Sequence, residues 1–192
     1  MTKTLKILKN FEAFLLFETE TKRKILPLVF LGIIIPGEIR YLFIFLLITK
    51  LLPLNINARS LKLLLSLPFS RAELMVFSYI FGFLMVSSAT VIGESFFFGK
   101  VDPMIFFENF IFYSAYFGIL MLVTLKGADS IIFPVFFLIA DLIGGGYGDI
   151  TTNFYKLISP LYHKSPLYSS VLSIALLLTS FFVFIYDRKE KW

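Results

Sequence analysis

Four acidic residues lie in or near the longest apolar stretches of the chain: Glu94, Glu108, Asp129 and Asp141. A charge at the centre of a bilayer costs about 2.5–3.5 kcal/mol on insertion scales, so acidic residues that are buried there usually serve a function. Glu94 is the best candidate for such an intramembrane polar site. The plainer interpretation, which we favour, is that all four are interfacial or ion-paired, Asp129 for instance with Lys126.

A second candidate is the glycine-rich sequence GGGYGD at residues 144–149. Gly146-Tyr147-Gly148-Asp149 resembles the selectivity filter of potassium channels, in which stacked backbone carbonyls replace the hydration shell of the ion. However, two glycines stand in place of the filter's Thr-Val, so the hydroxyl that completes the innermost ion site is missing. We therefore favour a glycine-rich turn at the outer end of a helix.

The same four residues match the Gly-x-Gly-Asp of intramembrane aspartyl proteases, in which two carboxylates divide the roles of acid and base. Asp141 would be the partner of Asp149, but the polar sequence ITTNFYK that follows Asp149 is unlike a membrane helix. His163 is the only histidine, which excludes a two-histidine metal site. Because serine-hydrolase and zinc-protease motifs are also missing from the sequence, we expect no enzymatic activity in this chain.

The composition of the chain is that of an integral membrane protein. Of its 192 residues 58% are hydrophobic and only 16% are charged, which is too few polar residues for the surface of a soluble domain of this size. No cysteine is present, so disulfides and thiolate metal sites are excluded. The net charge of +5 does not require a nucleic-acid partner, because membrane topology can account for it.

The pattern of apolar residues predicts an all-α, polytopic fold that forms a single transmembrane domain over residues 1–192. Leu5, Leu8, Phe11 and Leu15 share one helical stripe, which predicts an amphipathic helix over residues 1–20 that lies in the membrane interface or packs on protein. Pro36-Gly37 predicts a tight turn between the first two spans. About six spans of suitable apolar character follow from the sequence, at residues 25–36, 39–54, 74–98, 104–125, 130–143 and 167–186.

The distribution of basic residues predicts the orientation. With a cytoplasmic N-terminus, the Lys and Arg residues concentrate on the cytoplasmic side, as the positive-inside rule requires. Of the 18 basic residues, four fall on the outer side: Arg40, Lys100, Lys156 and Lys164. We therefore predict a multi-pass protein of the cell membrane with both termini in the cytoplasm.

The sequence LKLLLSLPFSRAEL at residues 61–74 interrupts this apolar pattern within a predicted cytoplasmic loop. Residues 58–69 combine apolar and basic positions as a short helix at the membrane face would. Pro68 ends that helix, because proline disfavours helical geometry in the residue before it. Ser70 and Glu73 have the spacing of a capping box, so the next membrane helix is predicted to begin at Arg71.

The sequence LLLSLPFSRAEL resembles the cytoplasmic loop of ABC-2 type transporter permeases, whose pattern is roughly Leu-Leu-x-x-Pro-x-Ser-Arg-x-Glu. The resemblance extends to the amphipathic N-terminal helix, the six spans and the cytoplasmic termini. It also includes an extracellular segment at residues 144–166 before the last span, where Leu157 to Pro160 resembles a Leu-Ser-Pro sequence of the family. The first two spans are shorter than is usual for that family.

The resemblance implies the membrane-spanning permease subunit of an ATP-driven ABC exporter, in which residues 58–69 form a cytoplasmic coupling helix. No Walker A sequence is present, so ATP and Mg would bind to a separate ATPase subunit. The implied partners are that subunit, a second permease subunit in a homodimer or heterodimer, and membrane lipid, with no nucleic acid. The residues implied to dock on the ATPase subunit are Arg59, Leu61, Lys62, Leu64, Leu65, Pro68, Phe69, Arg71 and Glu73.

Two alternatives from other classes of protein remain open at this stage. A potassium-type channel would conduct ions without ATP and would lose selectivity when Tyr147 or Gly148 is changed. A non-transporting structural subunit would assemble stably into a larger membrane complex that contains no ATPase.

Overall fold

The computed structural model describes residues 3–51, 70–129, 131–146, 155–162 and 165–186, which are helical and contain no strand. Three of the helices are long and apolar enough to cross a membrane, namely Arg71–Phe98, Pro103–Leu125 and Pro166–Tyr186. They confirm the all-α fold of the described residues and agree in position with the predicted spans at 74–98, 104–125 and 167–186. The described residues form eight helices in this order: α1 (Lys3–Thr21), α2 (Leu26–Ile34), α3 (Glu38–Lys50), α4 (Arg71–Phe98), α5 (Pro103–Leu125), α6 (Ile132–Gly146), α7 (Tyr155–Ile158) and α8 (Pro166–Tyr186).

Helix α5 is the centre of the bundle, because its residues 111–118 are all buried. Helix α8 packs closely along it: a Cβ atom on Gly118 would come within 2.8 Å of the Leu176 carbonyl carbon. At the same contact the Ser173 hydroxyl donates a hydrogen bond to the Ile111 carbonyl at 3.0 Å. A small residue and a short polar side chain together let the two backbones approach, as is common between membrane helices.

The first two predicted spans form a helical hairpin, whose helices are as short as the sequence predicts or shorter. Helices α2 and α3 have 9 and 13 residues, and so rise about 14 and 20 Å, less than the hydrocarbon thickness of about 30 Å. The link at residues 35–37 contains Gly37 with φ of 91°, a conformation that favours glycine. The hairpin tip lies on α4, where a Cβ atom on Gly93 would overlap the Ile34 carbonyl oxygen. At the open end of the hairpin, Leu51 lies against Gly82, which is in the N-terminal half of α4.

Helix α1 packs on the start of α4 through aromatic side chains. The rings of Phe11 and Phe14 lie 5.2 and 5.9 Å from the ring of Phe77. The predicted apolar stripe is only half right, since Leu5 and Leu8 are exposed while Phe11 and Leu15 pack against the core. The buried face follows Asn10, Phe14 and Glu18 instead.

The turn between α1 and α2 contains a buried ion pair between Lys22 and Glu18. Burial lowers the pKa of Lys22 and outweighs the opposite effect of the Glu18 carboxylate, while the charge of Lys50 at the end of α3 lowers this pKa further. The electrostatic influence of Lys50 shows that the two open ends of the α2–α3 hairpin lie near each other.

Candidate functional site

The junction that precedes α4 is the part of the predicted docking segment that the structure describes. Residues 52–69 lie outside the described residues, and with them Arg59, Leu61, Lys62, Leu64, Leu65, Pro68 and Phe69. Helix α4 begins at Arg71, and the predicted capping box is confirmed. The Glu73 backbone N–H donates to the Ser70 hydroxyl at 3.1 Å, and the Ser70 N–H donates to the Glu73 carboxylate at 2.7 Å. These two bonds satisfy backbone N–H groups at the start of α4.

The same junction contacts α1. Lys6 and Asn10 of α1 lie close to the Glu73 carboxylate, one helical turn before the aromatic contact of Phe77 with Phe11 and Phe14. The first two turns of α4 are therefore packed against α1.

Glu94, the candidate intramembrane polar site, is ion-paired. Its carboxylate accepts a hydrogen bond from the guanidinium Nη2 of Arg40 at 2.7 Å, and both side chains are buried. The Nε of Arg40 donates to the Ile33 carbonyl at the end of α2, at 3.0 Å. The pair thus joins the hairpin tip to α4, which confirms the ion-paired interpretation for Glu94. The sequence pattern predicts Arg40 on the outer side but does not reveal it as the partner of Glu94.

Asp141 forms a second buried polar site, in α6. Its carboxylate accepts hydrogen bonds from the Ser159 hydroxyl at 2.6 Å and the Tyr116 hydroxyl at 3.1 Å. Tyr155 also donates to it, and burial together with this carboxylate raises the pKa of Tyr155. A cavity of about 290 Å³ lies beside Tyr116, Asp141 and Tyr155. Residues on three separate elements meet here, so no local sequence pattern could have revealed the site.

The other sequence candidates have structural roles where the structure describes them. The Asp129 carboxylate accepts from the backbone N–H groups of Ile131 and Ile132, at 2.8 and 2.9 Å. These bonds hold the pKa of Asp129 below its ordinary value, and they show that the carboxylate caps α6 instead of pairing with Lys126. Glu108 is half-buried and lines a larger cavity of about 530 Å³.

The glycine-rich sequence is helical as far as the structure describes it. Gly144 to Gly146 form the last turn of α6, so this helix extends three residues beyond the predicted span at 130–143. A Cβ atom on Gly145 would overlap the ring of Tyr162, so this glycine makes room for a close contact. Tyr147, Gly148 and Asp149 lie outside the described residues, as does His163. Among the described residues, no group of three or more potential metal ligands is found.

The fold and these sites define an all-helical protein with three helices long and apolar enough to span a membrane, in which buried polar pairs join neighbouring helices. No family model, no curated protein and no solved structure matches the chain.

Proposed function

We propose that this chain is the membrane-spanning permease subunit of an ATP-driven ABC-2 type exporter. ATP and Mg bind to a separate ATPase subunit, and two permease subunits, identical or different, surround the transport pathway in the cell membrane. Both termini lie in the cytoplasm. The six membrane segments of the proposal are α2 to α6 and α8. The short hairpin of α2 and α3 returns to the side from which it came, so the orientation of the chain is the same whether or not its tip crosses fully.

The observation that supports the proposal best is the junction at Ser70. The family-like sequence Leu-Leu-x-x-Pro-x-Ser-Arg-x-Glu at residues 64–73 ends in a capping box that starts a helix of 28 residues. A capped helix transmits displacement along its axis better than a frayed one, because its first turn has its backbone hydrogen bonds satisfied. When the ATPase subunit displaces the docked coupling helix, α4 would therefore move with it and, through Phe77, so would helix α1.

The first test is association. The chain should co-purify from mild detergent with an ATPase subunit that contains a Walker A sequence, and its substrate transport should require ATP hydrolysis by that subunit. Isolation in a stable complex that contains no ATPase would contradict the proposal and favour a structural subunit. Selective ion flux by the purified chain without ATP would favour the channel.

The second test is a variant pair in the docking segment. Leu65→Arg and Phe69→Asp place charge on the proposed apolar docking surface, so we expect ATPase co-purification and transport to fall by about tenfold or more. Ser66→Arg is the matched control, since it adds the same charge in the same segment at a polar position. Membrane insertion and thermal stability should be unchanged in all three variants. Transport that is unaffected by Leu65→Arg and Phe69→Asp would exclude the docking role.

A further inference from the structure

A cavity of about 530 Å³ lies between α3, α5, α6 and the segment at residues 159–162. It is found at the end of the bundle where α5 begins, opposite the capped start of α4. Five of its nine lining side chains are aliphatic, among them Leu138 and Leu142. Its volume lies in the range of about 300–1,000 Å³ that is typical of pockets for small organic ligands, and such pockets are mostly apolar with a few polar groups.

Two of the polar groups in this cavity are carboxylates. Glu38 lies in the first turn of α3, and Glu108 lies in the second turn of α5. Neither belongs to an ion pair among the residues that the structure describes. Arg40, the cation nearest along α3, is bound to Glu94 and to a backbone carbonyl. The cavity therefore combines an apolar wall with two carboxyl groups that form no ion pair with a described side chain.

Two tyrosines, Tyr41 and Tyr162, complete the wall. Tyr162 is held in place, since its hydroxyl donates to the Leu142 carbonyl at 3.2 Å and its backbone N–H donates to the Ser159 hydroxyl at 3.1 Å. Ser159 is in turn bound to the buried Asp141. The Asp141 network thus positions an aromatic ring at the cavity before any ligand arrives. Aromatic faces and carboxylates are the groups that recognise organic cations.

We propose that this cavity binds a lipophilic organic monocation, such as a quaternary ammonium or phosphonium compound with an apolar body. The body packs on Leu138 and Leu142, and the charge lies near Glu38 and Glu108. An inorganic cation does not suit the site, because the apolar wall offers too few oxygen ligands. As the substrate class of an exporter this assignment rests on the proposed function, whereas the binding itself is measured on this chain alone.

The test uses tetraphenylphosphonium and its anionic counterpart of the same shape, tetraphenylborate. The purified full-length chain in lipid nanodiscs should bind tetraphenylphosphonium saturably in calorimetry. After subtraction of the binding to empty nanodiscs, whose lipid takes up both ions, it should bind tetraphenylborate at least about tenfold more weakly, because the carboxylates repel the anion. Equal binding of the two ions would show a nonspecific hydrophobic surface and would overturn the proposal. Failure of the wild-type chain to bind tetraphenylphosphonium at millimolar concentration would do the same.

Variants locate the site. Glu108→Gln and the double variant with Glu38→Gln should weaken tetraphenylphosphonium binding by about tenfold or more, and Leu142→Trp should abolish it by filling the cavity. Glu12→Gln is the control, because it removes an equal charge from the exposed face of α1. Thermal unfolding in the same nanodiscs shows that each variant is folded. Unchanged affinity in the folded carboxylate variants would overturn the proposal. Unchanged binding in a Leu142→Trp variant would overturn it too, even if the oligomeric state of that variant differs.

These outcomes are separate from those of the association test. Cation binding by a chain that associates with no ATPase subunit in the cell membrane would support the site and refute the exporter. An ATPase complex whose permease does not bind tetraphenylphosphonium would support the exporter and refute this site.

Discussion

Arg40 and Glu94 are 54 positions apart in the sequence and meet inside the bundle. Their ion pair stabilises the fold by position more than by its net energy, because the cost of removing both charges from water offsets most of the attraction. Removing only one partner is different, since the other charge is then buried without compensation. The pair is therefore the residue-scale feature whose disruption should be most visible.

We expect Glu94→Gln to destabilise the protein by about 3–5 kcal/mol, because the Arg40 guanidinium loses its counter-ion. The double variant Arg40→Met with Glu94→Met should recover most of this loss, since two well-packed apolar side chains replace the pair. Thermal unfolding in detergent or nanodiscs measures both effects, with Glu12→Gln as the exposed control. A Glu94→Gln variant as stable as the wild type would contradict this account. A stable double variant that no longer transports would assign Glu94 the functional role that the sequence suggested.

At the scale of elements, the hairpin of α2 and α3 packs on α4 at glycine residues. Gly82 lies under Leu51 at the end of α3, and Gly93 lies under Ile34 at the hairpin tip. Because glycine has no side chain, the hairpin can approach α4 closely at both positions. Small residues of this kind set how closely helices pack in a membrane, where lipid is as apolar as the side chains themselves.

We expect Gly93→Val to destabilise the protein by about 1–3 kcal/mol or more, since the added side chain must displace the backbone of Ile34. Ser95→Val adds the same side chain two residues later, at an exposed position of the same helix, and should leave stability unchanged. Thermal unfolding compares the two variants, and cross-linking between cysteines introduced at the hairpin tip and α4 reports the displacement. Equal stability of Gly93→Val and Ser95→Val would show that the tip does not pack as described.

Local chemistry could be predicted from the sequence, whereas long-range contacts could not. The start of α4 at Arg71 and the break at Pro36-Gly37 were predictable because capping and turn formation depend on residues within three or four positions. The helical conformation of Gly144 to Gly146 could not be predicted, because the contact of Gly145 with Tyr162, which explains the glycine, comes from another segment. The buried face of α1 was predicted only in part for the same reason, because it depends on packing against Phe77 of α4.

At the scale of the whole molecule, the polar sites show the same limit. The Asp141 network draws its donors from α5 and from the segment after α6, and Arg40 finds Glu94 across two helices. An acidic residue in an apolar stretch indicates that a partner must exist, because an isolated charge is costly there. It does not indicate which partner, since that depends on how the helices are arranged.

The Arg40–Glu94 pair has a consequence for biogenesis. Residue 40 leaves the ribosome before residue 94 has been made, so the hairpin of α2 and α3 first meets the translocon with an unneutralised arginine, which disfavours its entry into lipid. We expect the nascent hairpin to wait beside the translocon until α4 supplies the carboxylate, after which both enter the bilayer as a unit. Nascent chains stalled before Glu94 should be extractable by carbonate, and those stalled after α4 should resist it. Carbonate resistance of chains stalled before Glu94 would show that the hairpin enters the bilayer without the Glu94 carboxylate.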